Sequence, residues 1–228
     1  MSKRIVLTTD ASGAVRAAKE GLAVMVVDVI DMSTTLESVL DAGAARVYGA
    51  SPDHSRAPVQ LKPEYIGQAA ARAARELGTG IILVSEPRVG SDDERLGRCT
   101  RLLSGLDREN GWIEAVVPNL GAETPKIREF NNRVVIAVTD TGGVAFDAAF
   151  QITPAVITGT IARTLKLKGT QPAETAARRA IKLMETSAGV AVVAASANSM
   201  EDILAARYIV ELIARNERYE VWASRDNL

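Results

Sequence analysis

Short apolar runs alternate along this chain with segments in which apolar residues recur at helical spacing. Several runs, such as residues 24–29, are apolar at consecutive positions, which is typical of strands covered on both faces. The predicted strands cover residues 5–8, 24–29, 46–49, 80–85, 113–116, 134–139, 155–158 and 189–194. The predicted helices cover residues 34–42, 65–77, 95–106, 143–150, 160–166, 172–186 and 200–214. This alternation predicts an α/β fold, a three-layer α/β/α arrangement with a mostly parallel sheet.

The chain is expected to form a single domain over residues 1–228. The polar, turn-rich stretch 123–133 allows a sub-domain boundary near residue 130, although a surface excursion explains it equally well. A hydrophobic content of 47% over 228 residues is ample for a core. Residues 216–228 are polar with Tyr219 and Trp222 interspersed, which fits a frayed end or a segment that docks on a partner subunit. We expect a homo-oligomer, specifically a dimer.

Charge and cysteine content narrow the function classes. The 27 basic and 28 acidic residues nearly cancel, which argues against a nucleic-acid partner or a membrane-binding surface. The single cysteine, Cys99, and the single histidine, His54, exclude a disulfide framework and the usual zinc-ligand spacings. A metal would therefore be held by oxygen ligands, which favours magnesium.

The sequence has no recognisable targeting signal near Met1. The apolar run after Met1 is too short for a signal peptide, and no run approaches the ~20 residues of a membrane helix. A cytoplasmic location is expected.

The first candidate site follows the apolar run 24–29. Asp28 and Asp31 are accompanied there by three hydroxyls, those of Ser33, Thr34 and Thr35. Parallel strands present ligand-binding groups at their carboxyl ends, so this cluster is predicted to be functional. Helix capping and solvation of the turn are the alternative, but capping alone would explain one hydroxyl and none of the acids.

A second cluster follows the predicted strand 134–139. Thr141, Gly142 and Gly143 lie between that strand and a helix. Adjacent glycines let backbone amides approach an anion, and a helix amino terminus favours negative charge. The stretch predicts phosphate or carboxylate binding, with an ordinary turn as the alternative.

A third cluster follows the strand 189–194 and contains Asn198, Ser199, Glu201 and Asp202. Ser199 is suited to cap the next helix, and the two acids suit its first turn, so a purely structural role explains most of the cluster. A metal or substrate role for either acid is the other interpretation. Since all three clusters follow core strands, Asp28, Thr34, Gly142 and Glu201 are expected to face a common cleft.

Taken together, the clusters resemble the 2-phosphosulfolactate phosphatase family, magnesium-dependent acid phosphatases of coenzyme M biosynthesis. The family's Asp-Val-Leu-Arg-Ala-Ser/Thr-Ser/Thr-Thr motif corresponds to residues 28–35, and its helix ending in Gly-Ala to residues 42–44. Residues 85–88 resemble the family's Gly-Glu-Arg segment, and residues 138–143 resemble its Thr-Thr-Asn-Gly-Thr turn. The late Glu-Asp helix is similar to residues 199–206.

The resemblance implies a magnesium-dependent phosphatase-like hydrolase acting on a small phosphorylated acid such as 2-phosphosulfolactate. Asp28, Asp31 and Glu201 are the implied catalytic residues, and these three with Asp202 are the implied magnesium ligands. The implied substrate-binding residues are Ser33, Thr34, Thr35, Thr141, Gly142, Gly143 and Asn198.

The chain departs from the family motif at one charged position. Asp31 stands where the family has an arginine, which replaces a fork of phosphate donors with a negative charge. This favours an alternative, a non-catalytic family member that binds a small anionic metabolite or a protein partner. Arg56, Arg88 and Arg163 are candidates to compensate for the missing arginine. A dinucleotide-binding oxidoreductase is disfavoured, because no Gly-x-Gly-x-x-Gly follows the first strand.

Overall fold

The computed structural model describes residues 3–215 and the backbone of residues 220–223. The strands are β1 (Arg4–Thr9), β2 (Ala23–Val27), β3 (Arg46–Ala50), β4 (Ile81–Ser85), β5 (Ile113–Pro118), β6 (Val134–Val138), β7 (Val156–Gly159), β8 (Gly189–Ala194) and β9 (Glu220–Ala223). The helices are α1 (Asp10–Lys19), α2 (Met32–Asp41), α3 (Pro63–Leu77), α4 (Asp92–Leu96), α5 (Thr100–Arg108), α6 (Gly142–Phe150), α7 (Gln171–Met184) and α8 (Met200–Ala214), with a 3-10 helix at Gly121–Lys126.

The strands form two sheets, and every pairing in them is parallel. The first sheet has the order β7-β2-β8-β1-β9, and the second has the order β3-β6-β4-β5. The α/β class and the parallel pairing predicted from the sequence are confirmed. The division into two sheets was not predicted, because the sequence pattern was interpreted as one sheet.

Helices cover both faces of each sheet. Helices α7 and α8 pack on the outer face of the first sheet, and α3 packs on the outer face of the second. Helices α1, α2 and α6 lie between the sheets, where α2 and α6 contact strands of both. Each sheet with its two helical layers is thus an α/β/α unit, and the two units share the middle layer.

The middle layer explains why polar residues of α2 and α6 are buried. A helix between two sheets has no solvent face, and eight successive residues of α2, Met32 to Val39, are buried. Polar side chains there must find partners inside the protein. Glu37 of α2, for example, accepts hydrogen bonds from Arg179 at 2.6 Å and from Thr158. The residues at the start of α2 are therefore under structural demands that an exposed helix would not impose.

Several predicted elements differ from those observed. The helix predicted over 160–166 is wrong, because these residues form bends in which Thr164 bonds to the backbone at Leu167. The helix predicted over 95–106 is divided into α4 and α5, and α1 was not predicted at all. None of the helices in the described residues has the length and apolar character that crossing a membrane requires.

Candidate functional site

The turn between β2 and α2 carries the first predicted cluster, with the buried Asp28 at its start. The Asp28 carboxylate accepts hydrogen bonds from the amides of Asp31 at 3.1 Å and Gly142 at 2.9 Å, and from the Thr141 hydroxyl at 3.1 Å. Burial, followed by the nearby charges of Asp202 and Asp31, raises the pKa of Asp28 from 3.8 to about 6. This carboxylate is therefore held in a site that disfavours its charged form.

Asp31 has cationic and polar neighbours. Its Oδ1 accepts hydrogen bonds from the Arg88 guanidinium at 3.1 Å and the Asn119 amide at 3.3 Å. The Arg88 side chain is 50% exposed, so the pair is weak as a source of stability. Among the three arginines proposed to compensate, Arg88 is the one beside Asp31.

The three predicted substrate-binding hydroxyls of α2 are buried and engaged within the protein. Ser33 donates to the carbonyl of Val26 at 2.9 Å, and Thr34 donates to the carbonyl of Val29. Thr35 donates to the side chain of Asn119. Since α2 begins at Met32, these residues lie inside the helix and do not cap it. Their bonds join the middle layer to its neighbours, which is the structural interpretation of the cluster.

The second cluster lies against the first, as predicted for Asp28 and Gly142. The Gly142 amide donates to Asp28, and the Gly143 amide donates to the Thr139 hydroxyl at 2.8 Å. Both glycines also permit close packing, since a Cβ on Gly143 would overlap the carbonyl of Ala50. Both amides are already occupied by protein acceptors, so they are not free to bind an anion.

The third cluster contributes Asp202 to the same region. Its carboxylate accepts from the amide of Val29 at 2.9 Å, which ties the start of α8 to the β2–α2 turn. Ser199 caps α8 by accepting from the amide of Asp202 at 3.2 Å, as the sequence suggested. Glu201 and Asn198 are exposed, and the one described side-chain bond of Glu201 is accepted from Ser199. Of the third cluster, only Asp202 contacts the Asp28 turn through a hydrogen bond.

The predicted magnesium ligands Asp28, Asp31, Glu201 and Asp202 do not form a compact metal site. Over residues 3–215, no group of three or more His, Cys, Asp or Glu side chains has a metal-binding arrangement. Magnesium commonly uses one or two carboxylates completed by water and substrate phosphate, so a looser site at Asp28 and Asp31 still fits its chemistry. Burial and then the nearby charges of Asp202 and Asp31 raise the pKa of Asp28, and a divalent cation at this carboxylate would favour its charged form.

A cavity of about 450 Å³ adjoins the Asp28 turn through Thr141, and most of its lining was not predicted. It lies at the carboxyl ends of β1, β6 and β8. Its walls are the start of α1, the start of α6, the turn after β8 and the loop 56–58; the polar lining residues are Thr9, Asp10, Ser12, Arg56, Asp140, Thr141 and Ser196. The polar residues that follow the strand 5–8 were the available signal, by the same strand-end rule used for the other clusters.

The first residues of α1 form part of the wall of this cavity. The first amides of a helix have no acceptor within the helix, and α1 has no side-chain cap. Ala11 and Ser12 both line the cavity, and neither amide donates a hydrogen bond to another described residue outside α1. Arg56, in the loop 56–58, also lines the cavity and carries a guanidinium. These groups provide partial and full positive charge where an anion would fit.

Carboxylates at the cavity oppose that positive charge in part. Asp140 pairs with the Arg98 guanidinium at 3.0 Å, and its carboxylate lies 2.9 Å from His54 Nε2, so its charge is offset in part by a cation outside the lining. Asp10 is the second carboxylate. The cavity therefore combines donors for an anion with acids that suit a cation, which is the composition expected for a bound anion and metal together.

Comparison with known proteins finds no matching family model and no matching curated protein.

Proposed function

We propose that this protein is a magnesium-dependent, phosphatase-like hydrolase that acts on a small phosphorylated acid such as 2-phosphosulfolactate. The observation that carries the proposal is the cavity at the start of α1. It joins uncapped helix amides and Arg56 to the carboxylates around Asp28 through the shared residue Thr141. Its volume of about 450 Å³ suits a small ligand.

The phosphoryl group is assigned to the space between the Ala11 and Ser12 amides and Arg56. An arginine can bind two phosphate oxygens at once, and amides at a helix start supply further donors. The hydroxyls of Ser12 and Ser196 are available to position the rest of the acid. This proposed phosphate site replaces the one expected at Ser33, Thr34 and Thr35, whose hydroxyls form hydrogen bonds within the protein.

Asp28 and Asp31 are the proposed magnesium-holding residues, with water and substrate oxygens as the remaining ligands. When bound, magnesium would neutralise phosphate charge and polarise a phosphoryl oxygen. Arg88 offsets the charge of Asp31, which partly restores the positive charge lost with the family arginine. We further propose a cytoplasmic homodimer.

Phosphate release tests the proposal directly. The wild-type chain would be assayed with 2-phosphosulfolactate, phospholactate and phosphoglycolate, in magnesium and in a chelator. Phosphate release that requires magnesium is the expected result. Arg56→Gln should raise KM roughly 10- to 100-fold, because it removes a charged donor to phosphate. Arg108→Gln is the matched control, since Arg108 is exposed at the end of α5 and does not line the cavity.

Two results would contradict the proposal. One is the absence of phosphate release from all three esters in magnesium, and the other is identical kinetics for Arg56→Gln and Arg108→Gln.

A non-catalytic anion-binding protein is the second candidate. It is favoured by the engagement of Asp31 with Arg88 and by the lack of a three-residue metal group among residues 3–215. Calorimetry showing phosphate binding without turnover would support that candidate.

A further inference from the structure

Asp10 has a backbone conformation that is unusual for a non-glycine residue. It is the first residue of α1 and has a φ of 61°, a left-handed value that non-glycine residues seldom adopt. The preceding residue, Thr9, is extended with a φ of −131°. The chain therefore turns sharply from strand to helix at Asp10 itself, which projects its side chain at the cavity. Sharp strand-to-helix turns of this kind present nucleophiles in other α/β enzymes.

Close packing behind the turn supports this geometry. A Cβ on Gly13 would overlap the Thr8 hydroxyl and lie 3.0 Å from the Thr8 methyl group. Only glycine at this position lets α1 approach the end of β1 so closely. The turn is thus built by residues on both sides of Asp10.

The Asp10 carboxylate is oriented by two different elements. Its Oδ2 accepts a hydrogen bond from the Thr9 hydroxyl at 2.9 Å, and its Oδ1 accepts one from the amide of Ala197 at 3.0 Å. A carboxylate oxygen has two lone-pair sites, so each oxygen retains one. The group is held in place and still has lone pairs with which to react.

The surroundings of Asp10 supply what a phosphoryl group needs beside a nucleophile. The Ala11 and Ser12 amides follow it directly along the chain, and Arg56 lines the same cavity. Donors placed around a transferring phosphoryl group stabilise the charge that develops on its oxygens. The same cavity is thus lined by the oriented Asp10 carboxylate and by residues that carry hydrogen-bond donors for a phosphoryl group.

We propose that Asp10 is the covalent nucleophile of this cavity and forms an aspartyl phosphate, an inference that rests on the proposed function. One Asp10 oxygen forms a bond to phosphorus while the bond from phosphorus to the ester oxygen breaks. The ester oxygen leaves with the bonding electron pair and takes a proton from water. A second water then attacks phosphorus, which releases inorganic phosphate and restores the carboxylate.

Beryllofluoride, a mimic of an aspartyl phosphate, tests Asp10 without requiring turnover. Fluorine NMR of the full chain in magnesium should show bound beryllofluoride for the wild type and none for Asp10→Asn. Asp107→Asn, which changes an exposed residue of α5, should bind like the wild type. Inorganic phosphate should still bind Asp10→Asn, since the amides and Arg56 remain, and this shows that the variant is folded.

Turnover and trapping complete the test. Asp10→Asn should lose at least about 1000-fold in phosphate release, as expected for a removed nucleophile. Borohydride added during turnover should convert Asp10 to homoserine, which peptide mass spectrometry detects. Wild-type turnover with no reduced Asp10, together with an active Asp10→Asn, would contradict the assignment of Asp10 as the nucleophile. The proposed hydrolase activity would still be supported by that result. Beryllofluoride at Asp10 without turnover of any ester would support the nucleophile and contradict the hydrolase. Absence of both would overturn both.

Discussion

The buried carboxyl of Asp28 should make part of this protein's stability depend on pH. Its pKa is raised from 3.8 to about 6, chiefly by burial. Because the folded-state value lies above the unfolded one, the stabilising contribution is complete below about pH 3.8 and is lost as the pH rises through about 6. At 1.36 kcal/mol per pKa unit, ionised Asp28 costs the folded state about 3 kcal/mol at neutral pH.

Asp28→Asn removes this titration. The substitution also loses hydrogen bonds to Thr141 and Gly142, but their dependence on the charge of Asp28 is already contained in its pKa, and the remaining loss cancels when two pH values are compared. The free energy of unfolding of the variant, relative to the wild type, should therefore rise by about 2 kcal/mol from about pH 4.5 to about pH 7.5.

Urea unfolding at both pH values, in a chelator, measures this change. Asp107→Asn controls for the general effect of removing a surface charge. Asp147, whose burial also raises its pKa to about 6, is present in all three proteins, so its effect cancels. A relative stability of Asp28→Asn that is constant across the range, or that falls, would refute the assignment of a strongly raised pKa to Asp28.

Three further results are expected. Magnesium affinity, measured by calorimetry, should fall as the pH drops through about 6, because protons compete with the metal for the Asp28 carboxylate. The affinity should be lost in Asp28→Asn, and equal heats for both proteins would count against a metal at Asp28. Gly142→Ala should destabilise the fold by about 1–3 kcal/mol in urea, since its Cβ would overlap the Asp28 carboxylate and lie 2.9 Å from the Met32 Cβ; a neutral effect would show that this contact is loose. Arg88→Gln should cost less than about 1 kcal/mol of stability but weaken phosphate binding in calorimetry, since its ion pair with Asp31 is exposed while its charge lies beside the site; unchanged binding would separate Arg88 from the site.

Local pattern was sufficient to predict most elements of this fold. Helix α8 occupies the predicted range 200–214, and each of the eight predicted strands has a counterpart in the structure. Helix α1 was missed because its buried residues are small, among them Ala11, Gly13, Ala14 and Ala17, and give little hydrophobic contrast. The division into two sheets depends on which strands pair at long range, and local periodicity does not determine that pairing.

The site was harder to predict because the role of each polar side chain depends on distant partners. Thr35 bonds to Asn119, 84 residues away, and Glu37 bonds to Arg179, 142 residues away. Nothing in the local sequence distinguishes such buried hydroxyls from ones that face a ligand. The contact between Asp28 and Gly142 was predicted from the rule that parallel strands bring their carboxyl ends together, but β2 and β6 lie in different sheets, and the contact forms where α2 and α6 meet in the middle layer. Asp10 could have been included by the same rule, but its left-handed backbone is visible only in the structure.

A crystal structure of the protein with vanadate and magnesium is the most direct test of where this site lies. The account predicts vanadate in the cavity, within hydrogen-bond distance of the Ala11 and Ser12 amides and of Arg56, with magnesium bound to Asp28 or Asp31. Vanadate bound elsewhere on the molecule, with only water in this cavity at saturating concentration, would contradict the account.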